Sequence, residues 1–166
     1  WGLGKLIDVS DEEARDDLAR LSATMISVVA QSARLADGES TAVDPALVAS
    51  GATAATRFLL EWRGEADPKH VRAIDTYWIC TAEHGLNAST FTARVAASTG
   101  ADAGAAMSAA IGTLSGPLHG GAPAHVIPMI DEVAAMGDAA GYVDDLLSRG
   151  DRIMGFGHRV YRAEDP

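Results

Sequence analysis

The sequence predicts an all-α fold, and three observations carry that prediction. Alanine dominates the chain while aromatic residues make up only 5% of it, a composition that favours helix because alanine loses no side-chain entropy there. Helix-start devices recur along the sequence, beginning with Ser10-Asp11-Glu12-Glu13 and followed by Asp44-Pro45 and Asp67-Pro68. No stretch alternates apolar and polar residues at the period of a strand.

Taken in order, Ser10 stands three residues before Glu13 as a capping box, and the acidic first turn complements the helix dipole. Leu18, Leu21, Met25, Val28 and Leu35 follow at helical spacing and give one apolar stripe, which Asp37-Gly38 ends. A second helix is predicted from Asp44-Pro45 to about Trp62. A third starts at Asp67-Pro68 and carries Val71, Ile74, Trp78 and Cys80 towards His84. Residues 88–114 are rich in Ala, Gly, Ser and Thr, and Gly100 divides them into two helices. Small side chains there fit either a tightly packed or subunit-facing pair or ordinary helical surface. Two further helices are expected over 124–136 and 139–147, before the turn at Gly155-Phe156-Gly157.

The 166 residues suffice for one ordinary domain, and 48% hydrophobic content rules out disorder as the global description. A formal net charge of -10 argues against nucleic-acid or polybasic membrane-surface binding. The single cysteine, Cys80, excludes an internal disulfide and suits a reducing, cytoplasmic setting. Residues 103–130 carry no Asp, Glu, Lys or Arg, yet Gly116-Pro117, Gly120-Gly121, Pro123 and Pro128 interrupt them. Buried core is therefore the reading, not a bilayer span.

Chemistry concentrates around three of the five histidines. His119 lies between glycines in Ser115-Gly116-Pro117-Leu118-His119-Gly120-Gly121, which lets the backbone bend and a ligand approach closely. It precedes a predicted helix, whose positive end opposes further positive charge, and such a ring can donate a hydrogen bond to a developing enolate. The alternative is a tight turn with a merely satisfied histidine. His158 lies in Met154-Gly155-Phe156-Gly157-His158-Arg159, where Val160 stands in place of the third glycine of a dinucleotide fingerprint. Arg149, Arg152, Arg159 and Arg162 crowd the same end after a stretch with no Lys or Arg since Arg94, which suggests an anion site or a solvated charge run. His84 precedes Asn87 at a helix end, where it could equally be a C-cap. The wide spacing of the three histidines offers no metal-ligand pair. His70 and His125 carry no such context.

Three segments occur in fixed order: Glu-His-Gly-Leu-Asn-Ala-Ser-Thr-Phe (83–91), Gly-Pro-Leu-His-Gly-Gly-Ala (116–122) and Met-Gly-Phe-Gly-His-Arg-Val-Tyr-Arg (154–162), the last followed by Asp165-Pro166. Residues 82–166 thereby resemble the citrate synthase family of the bacterial type that includes 2-methylcitrate synthases. Residues 1–81 are compatible with it but carry no motif. The resemblance implies an all-α large helical domain over 1–119 and the start of a small domain over 120–166, closing over the substrates about the glycines near His119.

The resemblance also implies an acyltransferase reaction: an acyl-CoA α-carbon is deprotonated, condenses with oxaloacetate, and the thioester is hydrolysed. His119 would hydrogen-bond the thioester carbonyl and stabilise the enol, and His158 would polarise the oxaloacetate ketone. His84 and Asn87 would hold oxaloacetate. Ile153, Met154, Gly155, Phe156 and Gly157 would lie against the CoA adenine, with Arg162 at its phosphates. No permanent cofactor or metal is implied, CoA being a co-substrate, and a homodimer is expected with the helices of 88–114 in or near the interface. The family's catalytic Asp lies several dozen residues beyond its histidine motif, and Asp165 matches a different Asp, so the 166 residues alone are expected to be inactive. Pro123 stands where the family more often has Asn, and its ring suits a first helical turn. Propionyl-CoA in place of acetyl-CoA is a second reading, because one methylene is worth only about 1–3 kcal/mol. A non-catalytic helical interaction module is the third.

Overall fold

A computed structural model describes residues 2–83, 85–157 and 162, with the backbone alone at 122 and 123. Among the described residues there is no strand beyond an isolated bridge between Lys5 and Asp102, and the fold is all-α as the composition predicts. Among the described residues, no helix is long and apolar enough to cross a membrane.

Helix α1 spans Asp11–Ala36, and its start follows the predicted chemistry. The Glu13 backbone N–H donates to Ser10 Oγ at 3.2 Å, while the Ser10 N–H donates to Glu13 Oε2 at 2.9 Å. The Ser10 backbone N–H first, and then the Ser10 hydroxyl, which donates to Glu13 Oε2 at 2.8 Å, hold the Glu13 carboxyl below its ordinary value. The apolar stripe of α1 is less covered than its spacing suggests. Leu18, Val28 and Leu35 stay exposed, and Leu21, Met25 and Val28 line a cavity of about 580 Å³ shared with Met107 and Ile111. The neighbouring row, with Ile26 and Ala30, enters the core instead.

The predicted second helix is two helices, α2 (Pro45–Ala49) and α3 (Ala54–Arg63). Ser50 Oγ turns back onto the Leu47 carbonyl at 2.7 Å, and Thr53 caps a new start by accepting from Thr56 N–H. Buried Gly51 sits at the break, and a Cβ there would lie 2.8 Å from Arg57 Cγ and 3.0 Å from Arg57 N. Arg57 Nε donates to the Gly51 carbonyl at 2.8 Å and locks this corner.

Helix α4 (Pro68–Thr81) starts as predicted, with Asp67 accepting from Lys69 N–H at 2.7 Å. Val71, Ile74 and Trp78 face the core, whereas Cys80 is exposed, the single departure from that stripe. The core gathers Phe58 and Leu59 of α3 with Ala30 of α1, and Trp62, Ala66 and Ile74 pack against them. Phe58 meets the Trp62 ring at 5.7 Å and the Trp78 ring at 5.5 Å, the second edge-on, geometries that aromatic quadrupoles favour.

Helices α5 (Ala88–Ser98) and α6 (Ala103–Leu114) break at Gly100, as predicted, and pack directly on each other. The tightly packed reading of this small-residue stretch therefore holds: Ala103 and Ala106 are buried, and Thr113 Oγ1 donates to Thr92 Oγ1 at 3.0 Å. A four-residue 3₁₀ turn, Ala122–His125, leads into α7 (Val126–Met136), which pairs with α8 (Ala139–Ser148). Among the described residues, α1–α6 contact one another and the 3₁₀ turn, α7 and α8 contact one another, with no helix pairing between the two groups.

Candidate functional site

The segment around His119 is folded back onto the end of α6. His119 N–H donates to the Gly116 carbonyl at 3.0 Å, Gly120 N–H to the Leu114 carbonyl at 2.9 Å, and Gly121 N–H to the Gly116 carbonyl at 3.2 Å. Glycine is needed at 120 because a Cβ would overlap the Leu114 carbonyl oxygen and lie 2.8 Å from Leu114 Cγ. Leu118, next to the histidine, projects fully into solvent, while His119 itself is half-buried.

The ring of His119 is held from α5. Its Nε2 lies 2.9 Å from Ser89 Oγ. Ser89 Oγ donates in turn to Asn87 Oδ1 at 2.8 Å, and the same oxygen accepts the Thr90 backbone N–H at 2.9 Å as the N-cap of α5. Two of the three sequence segments are thus joined by one chain of hydrogen bonds: Thr90 N–H, Asn87, Ser89, His119. The helix-start setting expected for His119 is replaced by this arrangement. Only a short 3₁₀ turn begins three residues later, and α7 itself starts at Val126, too far along the chain to orient the ring. His125 is the residue before α7 and makes no side-chain cap.

Ser89 is the residue that sequence reasoning missed. The signal was present in Asn87-Ala88-Ser89, since a capping Asn places the hydroxyl two residues on beside its own carbonyl oxygen.

Ile153, Gly155 and Phe156 come together against α7 and α8, lining an apolar cavity of about 330 Å³ with Val126, Met129, Tyr142 and others. Ile153 and Met154 are half-buried, whereas Gly155, Phe156 and Gly157 are exposed. At the cavity's edge, Tyr142 donates its phenol proton to Glu132 Oε2 at 2.8 Å, and that bond, followed by burial, raises its pKa. Of the late arginines, Arg149 is taken up locally by Asp145 and Asp151, each at 3.3 Å, while Arg152 and Arg162 are exposed. His84, His158, Arg159 and Asp165 lie outside the described residues.

The comparisons with known proteins converge. The domain family described as "Citrate synthase, C-terminal domain" matches residues 4–166. The chain is 57% identical over its whole length to "Putative citrate synthase 2" of Mycobacterium tuberculosis, of which it spans 44%. It is 44% identical over 163 residues to the citrate synthase of Haloferax volcanii, covering 96% of this chain and 42% of that protein. The citrate synthase of Thermoplasma acidophilum, solved as a ternary complex with carboxymethyl coenzyme A and oxaloacetate, superposes with a TM-score of 0.79 at 31% identity, over 95% of this chain and 41% of that one. The chain spans less than half the length of these relatives. With His119 and its partners lying in the quoted motifs and the family match running from residue 4 to residue 166, the chain belongs to the citrate synthase family.

Proposed function

We propose that the protein carrying this chain condenses acetyl-CoA with oxaloacetate to citrate and CoA. The observation that carries the reading is the seating of His119 on Ser89, because a ring pinned at Nε2 leaves Nδ1 as the nitrogen that can meet a ligand oxygen. His119 hydrogen-bonds the thioester carbonyl and stabilises the enol that forms when the α-carbon loses its proton. His158 polarises the ketone of oxaloacetate, and His84 with the amide nitrogen of Asn87 holds its carboxylates. Residues 153–157 receive the CoA adenine and Arg162 its phosphates. In support, Ile153, Gly155 and Phe156 border an apolar recess of a size to take part of a flat ring.

The reading includes a division near residue 119 into a large helical domain and the start of a small one, supported by the absence of helix pairing across that point among the described residues. It includes a homodimer built on α5 and α6, supported by the exposure of Phe91, Val95, Ile111 and Leu114 on those helices. It also includes a cytoplasmic setting, in keeping with a lone exposed thiol at Cys80.

The test is oxaloacetate-dependent release of free thiol from acetyl-CoA by the gene product that contains this chain, with propionyl-CoA run beside it. Faster turnover of acetyl-CoA is expected. Preference for propionyl-CoA would assign 2-methylcitrate synthesis, and wild-type turnover by a His119→Ala variant would overturn the assignment of His119.

A further inference from the structure

The hydrogen bonds around Ser89 determine where its proton and that of His119 lie. Asn87 Oδ1 accepts the Thr90 backbone N–H at 2.9 Å, and a backbone amide can only donate, so the atom facing Ser89 is the amide oxygen and not the nitrogen. Ser89 Oγ stands 2.8 Å from that oxygen. An oxygen that only accepts obliges the hydroxyl to donate to it, which uses the single proton of Ser89. Toward His119 Nε2, 2.9 Å away, Ser89 Oγ is then an acceptor, and Nε2 must carry the hydrogen. In a neutral imidazole this leaves Nδ1 bare.

We propose that Asn87 and Ser89 are positioning residues that hold the substrate-free chain with His119 as its Nε2–H tautomer, an acceptor at Nδ1, and that a neutral His119 becomes a donor there only after Ser89 releases Asn87. This rests on the reading of His119 as the residue that meets the thioester oxygen. The change balances without altering the ring's charge. Nδ1 takes one proton from water, Nε2 gives one to water, and the Ser89 hydroxyl turns from Asn87 Oδ1 to donate to Nε2. Half-burial of His119 leaves water a route to the ring. The device connects the two ends of the site, because the acceptor that sets the tautomer belongs to the residue assigned to oxaloacetate.

The test is the tautomer of His119 in the 166-residue chain labelled with ¹⁵N-histidine, read from two-bond ¹H–¹⁵N correlations at about pH 8.5, above the ordinary imidazole range. The His119 signals are identified by their loss in His119→Gln. A single Nε2–H form is expected in the wild type. Asn87→Asp keeps an acceptor on both Thr90 and Ser89 and is expected to retain that form while losing the amide donor for oxaloacetate. Asn87→Ala withdraws the acceptor and is expected to give a mixture of both tautomers. Should Asn87→Ala lower the helical circular dichroism, Asn87→Gly, which an N-cap position tolerates and which brings no side-chain acceptor, carries the same expectation. An Nδ1–H form in the wild type, or a pure Nε2–H form when the acceptor is withdrawn, overturns the proposal. Unchanged oxaloacetate affinity in Asn87→Asp would instead count against the assignment of Asn87 to that substrate, leaving the tautomer result intact.

Discussion

The ring of His119 is held at Nε2 by Ser89 Oγ, 2.9 Å away and thirty residues earlier in the chain. On the proposed role of His119, a ring fixed by one hydroxyl loses its orientation when that hydroxyl is removed, and small misplacements at a reacting centre cost about 10²-fold in rate. Ser89→Ala is therefore expected to lower kcat of the gene product about 10- to 100-fold. The KM for oxaloacetate should change little, because Asn87 keeps its place as the N-cap of α5. Steady-state kinetics with each substrate varied in turn checks this, and a variant with unaltered kcat would remove Ser89 from the mechanism.

The turn that carries His119 should be as sensitive as the ring's partner. A methyl group at 120 would overlap the Leu114 carbonyl oxygen, the atom that accepts Gly120 N–H. Gly120→Ala must therefore open the turn and draw Nε2 away from Ser89. Overpacking of this kind costs about 1–3 kcal/mol. The expected outcome is a lower Tm together with a shifted His119 signal in ¹H–¹⁵N spectra. Gly112→Ala, at an exposed position of α6 where a Cβ meets nothing within 4 Å, is the control that should leave the His119 signal in place and hold or raise Tm, because alanine is the better helix former.

Helix starts were legible in the sequence where a capping side chain precedes an acidic turn or a proline, as at Ser10, Asp44 and Asp67, because that chemistry is local. The break at Gly51 was not. Residues 45–62 read as one helix by propensity, and what divides them is the packing of Arg57 against a glycine six residues away. The stripe on α1 misled for a related reason: periodicity identifies an apolar face without saying which neighbour covers it. Ala30, outside that stripe, is fully buried, while Leu35 within it is 64% exposed. In the site, the motif residues were legible as types, and their joining through Ser89 was not, because only the α5–α6 packing brings positions 89 and 119 together.

The aromatic core offers a direct test of where stability resides. Phe58 is buried between the rings of Trp62 and Trp78 and touches both α1 and α4 through its cluster. Phe58→Ala removes that filling and leaves a cavity bounded by large rings that relax only in part. A loss of about 3–5 kcal/mol is expected. Urea denaturation followed by tryptophan fluorescence measures it, since two of the reporting rings line the site. A loss below about 1 kcal/mol would mean that the core closes around the gap.

The N-terminus of α1 should respond to acid in a defined direction. Glu13 is lowered from its ordinary value of 4.5, first by the Ser10 backbone N–H and then by the Ser10 hydroxyl. A carboxylate with a depressed folded-state pKa contributes stability above its unfolded value and loses it as pH falls through the folded one. The amides of residues 11–14 should therefore exchange faster with solvent once the pH drops below the ordinary carboxylate range, before α3 and α4 loosen. Glu13→Gln keeps an oxygen for the Ser10 N–H but cannot ionise, so exchange there should become insensitive to pH over that interval after correction for intrinsic rates. Ser10→Ala removes the cap outright, at an expected cost of about 1 kcal/mol. Hydrogen exchange read by mass spectrometry across that pH range checks both, and a wild-type profile as flat as that of Glu13→Gln would show that the capping box carries no titrating contribution.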